Sequence, residues 1–266
     1  MNKFEQIRSL ELLETIQQSS IDLVLTDPPY IISRKSGFSN HKNGVDRLAI
    51  YNTEFGSWDT TFSLEDLNQN LSEFYRVLKN GGTCIVFCDL WKISYISEAM
   101  KTIGFKQIRF VEWIKKNPVP INSKINYLSN AREVAISGIK KSKPTFNSSY
   151  DNGIYSYPIC HEKGRFHPTQ KPLAFMEELI CKHSNEGDVV LDTFAGSATT
   201  LVAAKKRNRH FIGCEVDERY FTRAKERLEN TGFISTKETA CSVCECDPCD
   251  CNDHPAGTVG TTTKRL

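Results

Sequence analysis

The sequence predicts an α/β protein built on a doubly wound, mostly parallel sheet. Three observations carry this. Short β-type apolar runs alternate with stretches of helical spacing, as expected where helices cover both faces of a parallel sheet. Two of the apolar runs break sharply at their carboxyl ends, where open α/β sheets bind ligands. The 266 residues, 39% of them apolar, suffice for one large core.

Taken in order, Ile21–Thr26 (IDLVLT) reads as a strand that stops at Asp27-Pro28-Pro29-Tyr30. Ser63-Leu64-Glu65-Asp66 has the form of a helix-capping start. Leu64, Leu67, Leu71, Phe74, Tyr75 and Leu78 follow at helical spacing, and Gly81-Gly82 is read as the helix end. Thr83–Cys88 is a strand, Lys92–Ile103 a helix, and Phe105–Lys115 and Glu133–Ile139 two further strands. From about Lys140 to Phe166 no periodicity is evident. A helix over Pro172–Ser184, a strand over Asp188–Asp192, a helix over Ser197–Arg207, a strand over His210–Val216 and a helix from Asp217 to about Asn230 complete the pattern. The residues after about Thr231 carry little apolar content and are expected to form a mobile tail.

With 34 Lys+Arg against 32 Asp+Glu, the formal charge is +2, which excludes a wholly basic nucleic-acid coat protein while leaving room for a local basic surface. No stretch approaches the roughly 18–20 uninterrupted apolar residues of a membrane span, and the amino-terminal segment lacks an export-signal core. The expectation is a soluble cytoplasmic protein with no membrane partner. Of the ten cysteines, Cys84, Cys88, Cys160, Cys181 and Cys214 lie in apolar segments, where a thiol acts as a small hydrophobe. The other five, Cys241, Cys244, Cys246, Cys249 and Cys251, fall within eleven residues. Their paired spacing admits a structural zinc, but two pairs so close together would crowd one ion, so no metal site is assigned.

The two broken strand ends are the candidate sites. Two prolines cannot continue a central strand, so Asp27-Pro28-Pro29-Tyr30 forms a stiff turn presenting a carboxylate, fixed carbonyls and an aromatic ring; a plain strand-terminating turn reads equally well. Asp192-Thr193-Phe194-Ala195-Gly196-Ser197 runs from strand through a small-residue turn into a helix, where a glycine admits close backbone approach and the helix start favours electron-rich groups. Nineteen residues beyond Gly196 stands Glu215, at the distance where a nucleoside-binding α/β site places its ribose-binding acid.

IDLVLTDPPY, LKNGGTCIVF, WIKKNPVP, HPTQKPL, VVLDTFAGSATT and FIGCEVDERY resemble, in that order, the motifs of the DNA amino-methyltransferases, which methylate adenine N6 or cytosine N4 with S-adenosylmethionine. The order is that of their β group, and the resemblance runs from about residue 5 to 230. It implies a seven-stranded, circularly permuted Rossmann-like methyltransferase fold. Residues 1–111 would be the catalytic half, 112–166 sheet followed by a target-recognition insertion, 167–230 the S-adenosylmethionine-binding half, and 231–266 the Cys-rich tail.

An exocyclic amine conjugated to a base is a poor nucleophile because its lone pair is delocalised. The Asp27 carboxylate and Pro28 carbonyl can accept its two N–H groups, with Pro29 stiffening the turn and Tyr30 stacking on a flipped base. By the resemblance, Asp192, Phe194, Ala195, Gly196, Ser197, Thr199 and Glu215 would hold the donor, and Asp27 and Lys171 would lie near its methionine end. Two departures from the family pattern stand out: Ala198 where glycine is usual, expected to alter the adenosine contact, and Arg8-Ser9 where many relatives carry an acid. In the family, aspartate in this turn goes mainly with adenine N6 and serine with cytosine N4.

Residues 112–171 hold ten Lys/Arg and four Asp/Glu, interleaved with aromatic and amide side chains, as a duplex-DNA surface requires. The segment Gly37–Trp58 is expected to close over the base. The leading expectation is therefore site-specific DNA adenine N6-methylation of double-stranded DNA, with homodimerisation by analogy. Cytosine N4 methylation, methylation of RNA or a protein amide, and a non-catalytic DNA-binding subunit are the alternatives.

Overall fold

In a computed structural model of the chain, the structure describes residues 2–30, 62–118, 131–160, 165–167 and 169–232. The strands are β1 (Lys3–Glu5), β2 (Ile21–Thr26), β3 (Leu78–Cys88), β4 (Lys106–Lys115), β5 (Arg132–Ile139), β6 (Ile154–Tyr157), β7 (Val189–Asp192) and β8 (His210–Cys214). The helices are α1 (Ser9–Glu14), α2 (Leu64–Val77), α3 (Ile93–Ile103), α4 (Leu173–His183), α5 (Thr199–Lys206) and α6 (Glu218–Glu229). Among the described residues the strands form one sheet in the order β1-β8-β7-β2-β3-β5-β4-β6. Only β5 runs against its neighbours; every other pairing is parallel.

This is the expected doubly wound architecture, with eight strands where seven were expected. The two strands that periodicity did not disclose, β1 and β6, lie at the two edges. Strand β6 falls in the stretch that showed no pattern and pairs with β4 from Glu112↔Ile154 to Lys115↔Tyr157.

Side chains alternate across the central strands, as the pleat requires. Leu23, Leu25, Ile85 and Phe87 enter one core with Phe175, Leu179 and Leu201 of α4 and α5. Val24, Cys84 and Val86 enter the other with Leu12, Leu71, Phe74, Ile96 and Met100 of α1, α2 and α3. Both faces of β2 and of the Thr83–Cys88 part of β3 are thus buried, which explains why these segments are mostly apolar.

Helix α2 begins with the expected capping box: the Asp66 backbone N–H donates to Ser63 Oγ at 3.1 Å, and the Ser63 N–H donates to Asp66 Oδ2 at 2.8 Å. It ends at Val77, earlier than expected, because Leu78 already pairs with Ile21 in the sheet. Gly81 and Gly82 therefore belong to β3 rather than to a helix end. Gly81 sits at φ +87°, and a Cβ there would lie 2.6 Å from the Lys143 carbonyl oxygen, so glycine is required where the strand kinks. The register jumps here, from Ile21↔Leu78 to Leu23↔Thr83.

Cys84, Cys88, Cys160 and Cys214 are buried free thiols and Cys181 is partly buried, consistent with small apolar side chains. Among the described residues no helix is long and apolar enough to cross a membrane. The Gly37–Trp58 segment and the Cys-rich tail lie outside the described residues.

Phe175 ties the β4–β6 edge to the body of the fold. Its ring meets Trp113 at 5.8 Å, Phe87 at 6.0 Å, Tyr155 at 5.3 Å and Tyr157 at 5.6 Å, and it is fully buried. Phe175→Ala should cost about 3–5 kcal/mol in denaturant unfolding, the range for deleting a buried aromatic ring.

Candidate active site

The cleft opens at the carboxyl ends of β2, β3 and β7. β2 and β7 are adjacent and parallel, paired as Leu23↔Val190 and Val24↔Leu191, so the two broken ends emerge side by side. Thr26 Oγ1 donates to Asp192 Oδ1 at 2.7 Å and locks them together. Asp27, Pro28, Pro29, Tyr30, Lys171, Asp192, Phe194, Ala195, Gly196, Ser197, Thr199 and Glu215, all the residues singled out from sequence, line one cleft of about 1510 Å³. That exceeds the roughly 300–1,000 Å³ of a single small-molecule site.

On the β2 side, Lys171 Nζ donates to Asp27 Oδ2 and pairs with Glu133 Oε2 at 2.9 Å. Glu133 in turn pairs through Oε1 with Lys115 at 2.8 Å. The Lys171 side chain is only 6% exposed, so this is an interior charge chain and not a surface pair. Among the described residues, Asp27 Oδ1 and the Tyr30 hydroxyl are buried with no partner at hydrogen-bond geometry, although the hydroxyl lies near enough to Asp27 to favour its ionised form. Lys92, from the turn after β3, donates through Nζ to the Tyr30 carbonyl and holds the far end of the proline turn.

Burial raises the Asp27 carboxyl above the usual range, and Lys171 offsets part of that rise. Burial also works against the Lys171 charge, but Asp27 and Glu133 together outweigh it and hold the ammonium above its ordinary value. Burial, with the nearby Asp27 and Glu133 charges, pushes the Tyr30 hydroxyl well above the ordinary tyrosine value, so it stays a neutral donor.

On the β7 side, Gly196 takes φ +54° and its N–H donates to Glu215 Oε2 at 2.8 Å. Glu215 Oε1 accepts the Asp217 N–H at 2.9 Å. A carboxylate offers about four lone-pair sites, so Glu215 keeps acceptor capacity beyond its backbone donors. His167 closes over Gly196: a Cβ there would meet the ring nitrogen Nε2 at 3.3 Å. Burial and the Lys171 charge lower His167 to about 4, so it is neutral, with its ring edge against Tyr220 at 4.4 Å. The Phe194 ring packs edge-on against Phe62 at 5.4 Å. At the amino-terminal departure from the family pattern, Arg8 and Ser9 line the cleft, and Ser9 Oγ donates to Asn70 Oδ1.

Glu133 and Lys115 were visible in the sequence only as members of the charge count over 112–171. The available signal was an acid opening an otherwise apolar strand. The structure also tempers the expected basic surface. Lys115 and Lys171 are ion-paired in the interior, and buried Lys140 donates through Nζ to the Leu78 carbonyl at 2.6 Å. Residues 119–130 and 161–164 of that stretch lie outside the described residues.

A doubly wound sheet with an acid-lined cleft across two adjacent broken strands defines a nucleoside-binding α/β protein. The family N6_N4_Mtase, described as DNA methylase, matches residues 21–226, and the chain belongs to it. It is 33% identical over 239 residues to the type II methyltransferase M2.LlaDCHI of Lactococcus lactis subsp. cremoris, covering 83% of this chain and 86% of that protein. With the type II methyltransferase M2.DpnII of Streptococcus pneumoniae it shares 30% identity over 243 residues, 83% and 87% of the two chains. Among solved structures, the M1.HpyAVI–SAM complex superposes with a TM-score of 0.62 at 28% identity, covering 85% of this chain and all of that one. The cytosine-N4-specific PvuII DNA methyltransferase shares the fold, with a TM-score of 0.65 at 18% identity over 87% of this chain and 91% of that one.

Asp192 provides a check on the cleft's electrostatics. Burial raises its carboxyl to about 6, against hydrogen bonds from Thr26 and the Phe194 N–H. A folded value above the unfolded value of about 3.9 means that ionisation opposes folding, a penalty absent at low pH and complete once pH exceeds about 6. Asp192→Asn keeps the accepting Oδ1 and should therefore unfold at a higher temperature than the parent at pH 8. The difference should be worth about 1–3 kcal/mol and vanish near pH 4, as read by paired thermal melts across pH.

Proposed function

We propose that the chain is a site-specific DNA methyltransferase that transfers the methyl group of S-adenosylmethionine to N6 of a flipped adenine in duplex DNA. The single observation that carries this reading is the buried, unpartnered Asp27 Oδ1 on the proline turn, in the same cleft as the glycine corner of β7.

The residues fit the donor. The β7 corner presents bare backbone at Gly196 beside the His167 ring, and Glu215 keeps acceptor capacity for vicinal hydroxyls. Phe194, Ala195, Gly196, Ser197, Thr199 and Glu215 would hold its nucleoside, with Asp192 behind them and Lys171 and Asp27 towards the methionine end. S-adenosylmethionine supplies an electrophilic methyl group on a sulfonium.

The chain's own contribution is orientation and electrostatics. Asp27 Oδ1 accepts one N–H of the amine and the Pro28 carbonyl accepts the other, which draws the nitrogen lone pair out of conjugation. Asp27 is the proton acceptor as the nitrogen becomes positively charged. Lys171 on Oδ2 favours the ionised carboxylate and offsets part of the effect of its burial. The Tyr30 ring offers a stacking surface that offsets part of the few kcal/mol of base unstacking.

Aspartate in the turn supports adenine over cytosine, following the family preference, and the family's description as DNA methylase supports DNA as the acceptor. Labelled donor incubated with unmethylated duplex DNA, followed by nucleoside digestion, should yield N6-methyladenine; N4-methylcytosine would overturn the base assignment, and label on RNA or protein alone would overturn the acceptor. Asp27→Ala should lower kcat by about 10²–10⁴-fold, the range for a positioned proton acceptor, while leaving the fold intact by circular dichroism.

A further inference from the structure

The charge chain behind the proline turn contains a carboxylate that neither the family motifs nor the chemistry above employ. Glu133, the second residue of β5, lines the cleft and holds Lys171 through Oε2 at 2.9 Å and Lys115 through Oε1 at 2.8 Å. Lys171 is thereby shared: one carboxylate from the β2 turn and one from β5 contact the same ammonium. With Lys115 the four groups sum to zero charge, the condition under which such an interior cluster is tolerable.

Had the structure needed only to neutralise Asp27, a single lysine would do so, and the resulting tight pair would make the carboxylate a poor acceptor. A second acid on the same lysine changes the balance. We propose that Glu133 is a positioning residue for methyl transfer: it takes a share of the Lys171 ammonium, so that Asp27 is anchored through Oδ2 without being neutralised and Oδ1 remains a strong acceptor for the substrate amine. This rests on the reading of Asp27 given above. Lys115 moderates the effect by binding the other oxygen of Glu133.

The groups facing this cluster are Tyr30 on the same turn as Asp27, Cys88 at the end of β3, Asp192 at the end of β7 and His167 before α4. Removing the Glu133 charge leaves Lys171 to Asp27 alone and should lower the Asp27 titration midpoint; removing Lys115 strengthens the hold of Glu133 on Lys171 and should raise it. Both signs follow from charge proximity; a positioning role is separated from a structural one by the loss of kcat at unchanged donor affinity.

The test is a carbon-13 titration of the aspartate side-chain carboxyls in the full chain, with the Asp27 resonance assigned by its loss in Asp27→Asn. Glu133→Gln should move the midpoint down and Lys115→Met should move it up. Glu133→Asp, which restores the charge, should return it towards the parent value. Midpoints unmoved in both charge variants, or a rise in Glu133→Gln, would overturn the proposal. Because no donor or DNA is needed, that outcome is separate from any failure of the parent protein to methylate DNA. In the active protein, Glu133→Gln should lower kcat by about tenfold with the dissociation constant for S-adenosylmethionine within about twofold, and Glu133→Asp should recover most of the rate. Loss of donor affinity with kcat intact would count against it.

Discussion

The parallel pairing of β2 with β7 is the constraint on which the rest of the site depends. Parallel neighbours present their carboxyl ends at the same edge of a sheet, so whatever breaks the two strands is brought to one place. Here a proline pair breaks β2 and a glycine turn breaks β7, and the Thr26–Asp192 hydrogen bond at 2.7 Å joins them one residue before the first break. The bond has an energetic cost, because it requires a carboxyl inside the sheet, where burial raises it to about 6. The Phe194 N–H, donating to the same oxygen at 3.1 Å, offsets part of that cost and at the same time starts the turn that leads to Gly196. One side chain therefore fixes both the spacing of the two corners and the path of the second.

The interior charges obey a different logic from the strand ends. Transferring isolated ions from water into protein is costly, and pairing in good geometry only offsets that cost. The chain Asp27–Lys171–Glu133–Lys115 is drawn from the β2 turn, the segment before α4, β5 and β4. Its worth is in specificity: it allows only one relative placement of those elements, since displacing any of them leaves a buried charge alone. β5, the one strand that runs against its neighbours, is held in the sheet by this chain as well as by its backbone ladder.

Much of this architecture was legible in the sequence. β2, β7 and β8 announce themselves as apolar runs, and α2 by its capping box and its Leu67, Leu71 and Phe74 stripe. Edge elements were not legible. β1 spans three residues with no alternation to read, and β6 covers four residues within a polar stretch; its place is set by β4 and by the Phe175 ring, contacts that no local pattern encodes. The candidate site was legible wherever a backbone break and a functional side chain coincide, as at Asp27 and Gly196. Glu133 was not, because its significance comes from a lysine and a carboxylate far away in the chain. A count of basic residues treats Lys115, Lys140 and Lys171 as surface charge, whereas the fold turns each of them inward.

Ala198 shows how a departure from a family pattern can be absorbed. It adopts φ 57° and ψ 31°, a left-handed conformation that suits glycine and costs an alanine about 1–2 kcal/mol. Two observations explain why alanine is nevertheless compatible. Its side chain is fully buried in the core beneath α5, and a buried methyl is worth about 0.8 kcal/mol. Its N–H also donates to the Ala195 carbonyl at 2.7 Å and closes the turn that presents Gly196. Two residues earlier, at Gly196, a Cβ would lie 3.3 Å from the His167 ring, so a side chain there requires the ring to give way. The two positions share a backbone conformation but not an environment, and the environment decides which of them tolerates a side chain.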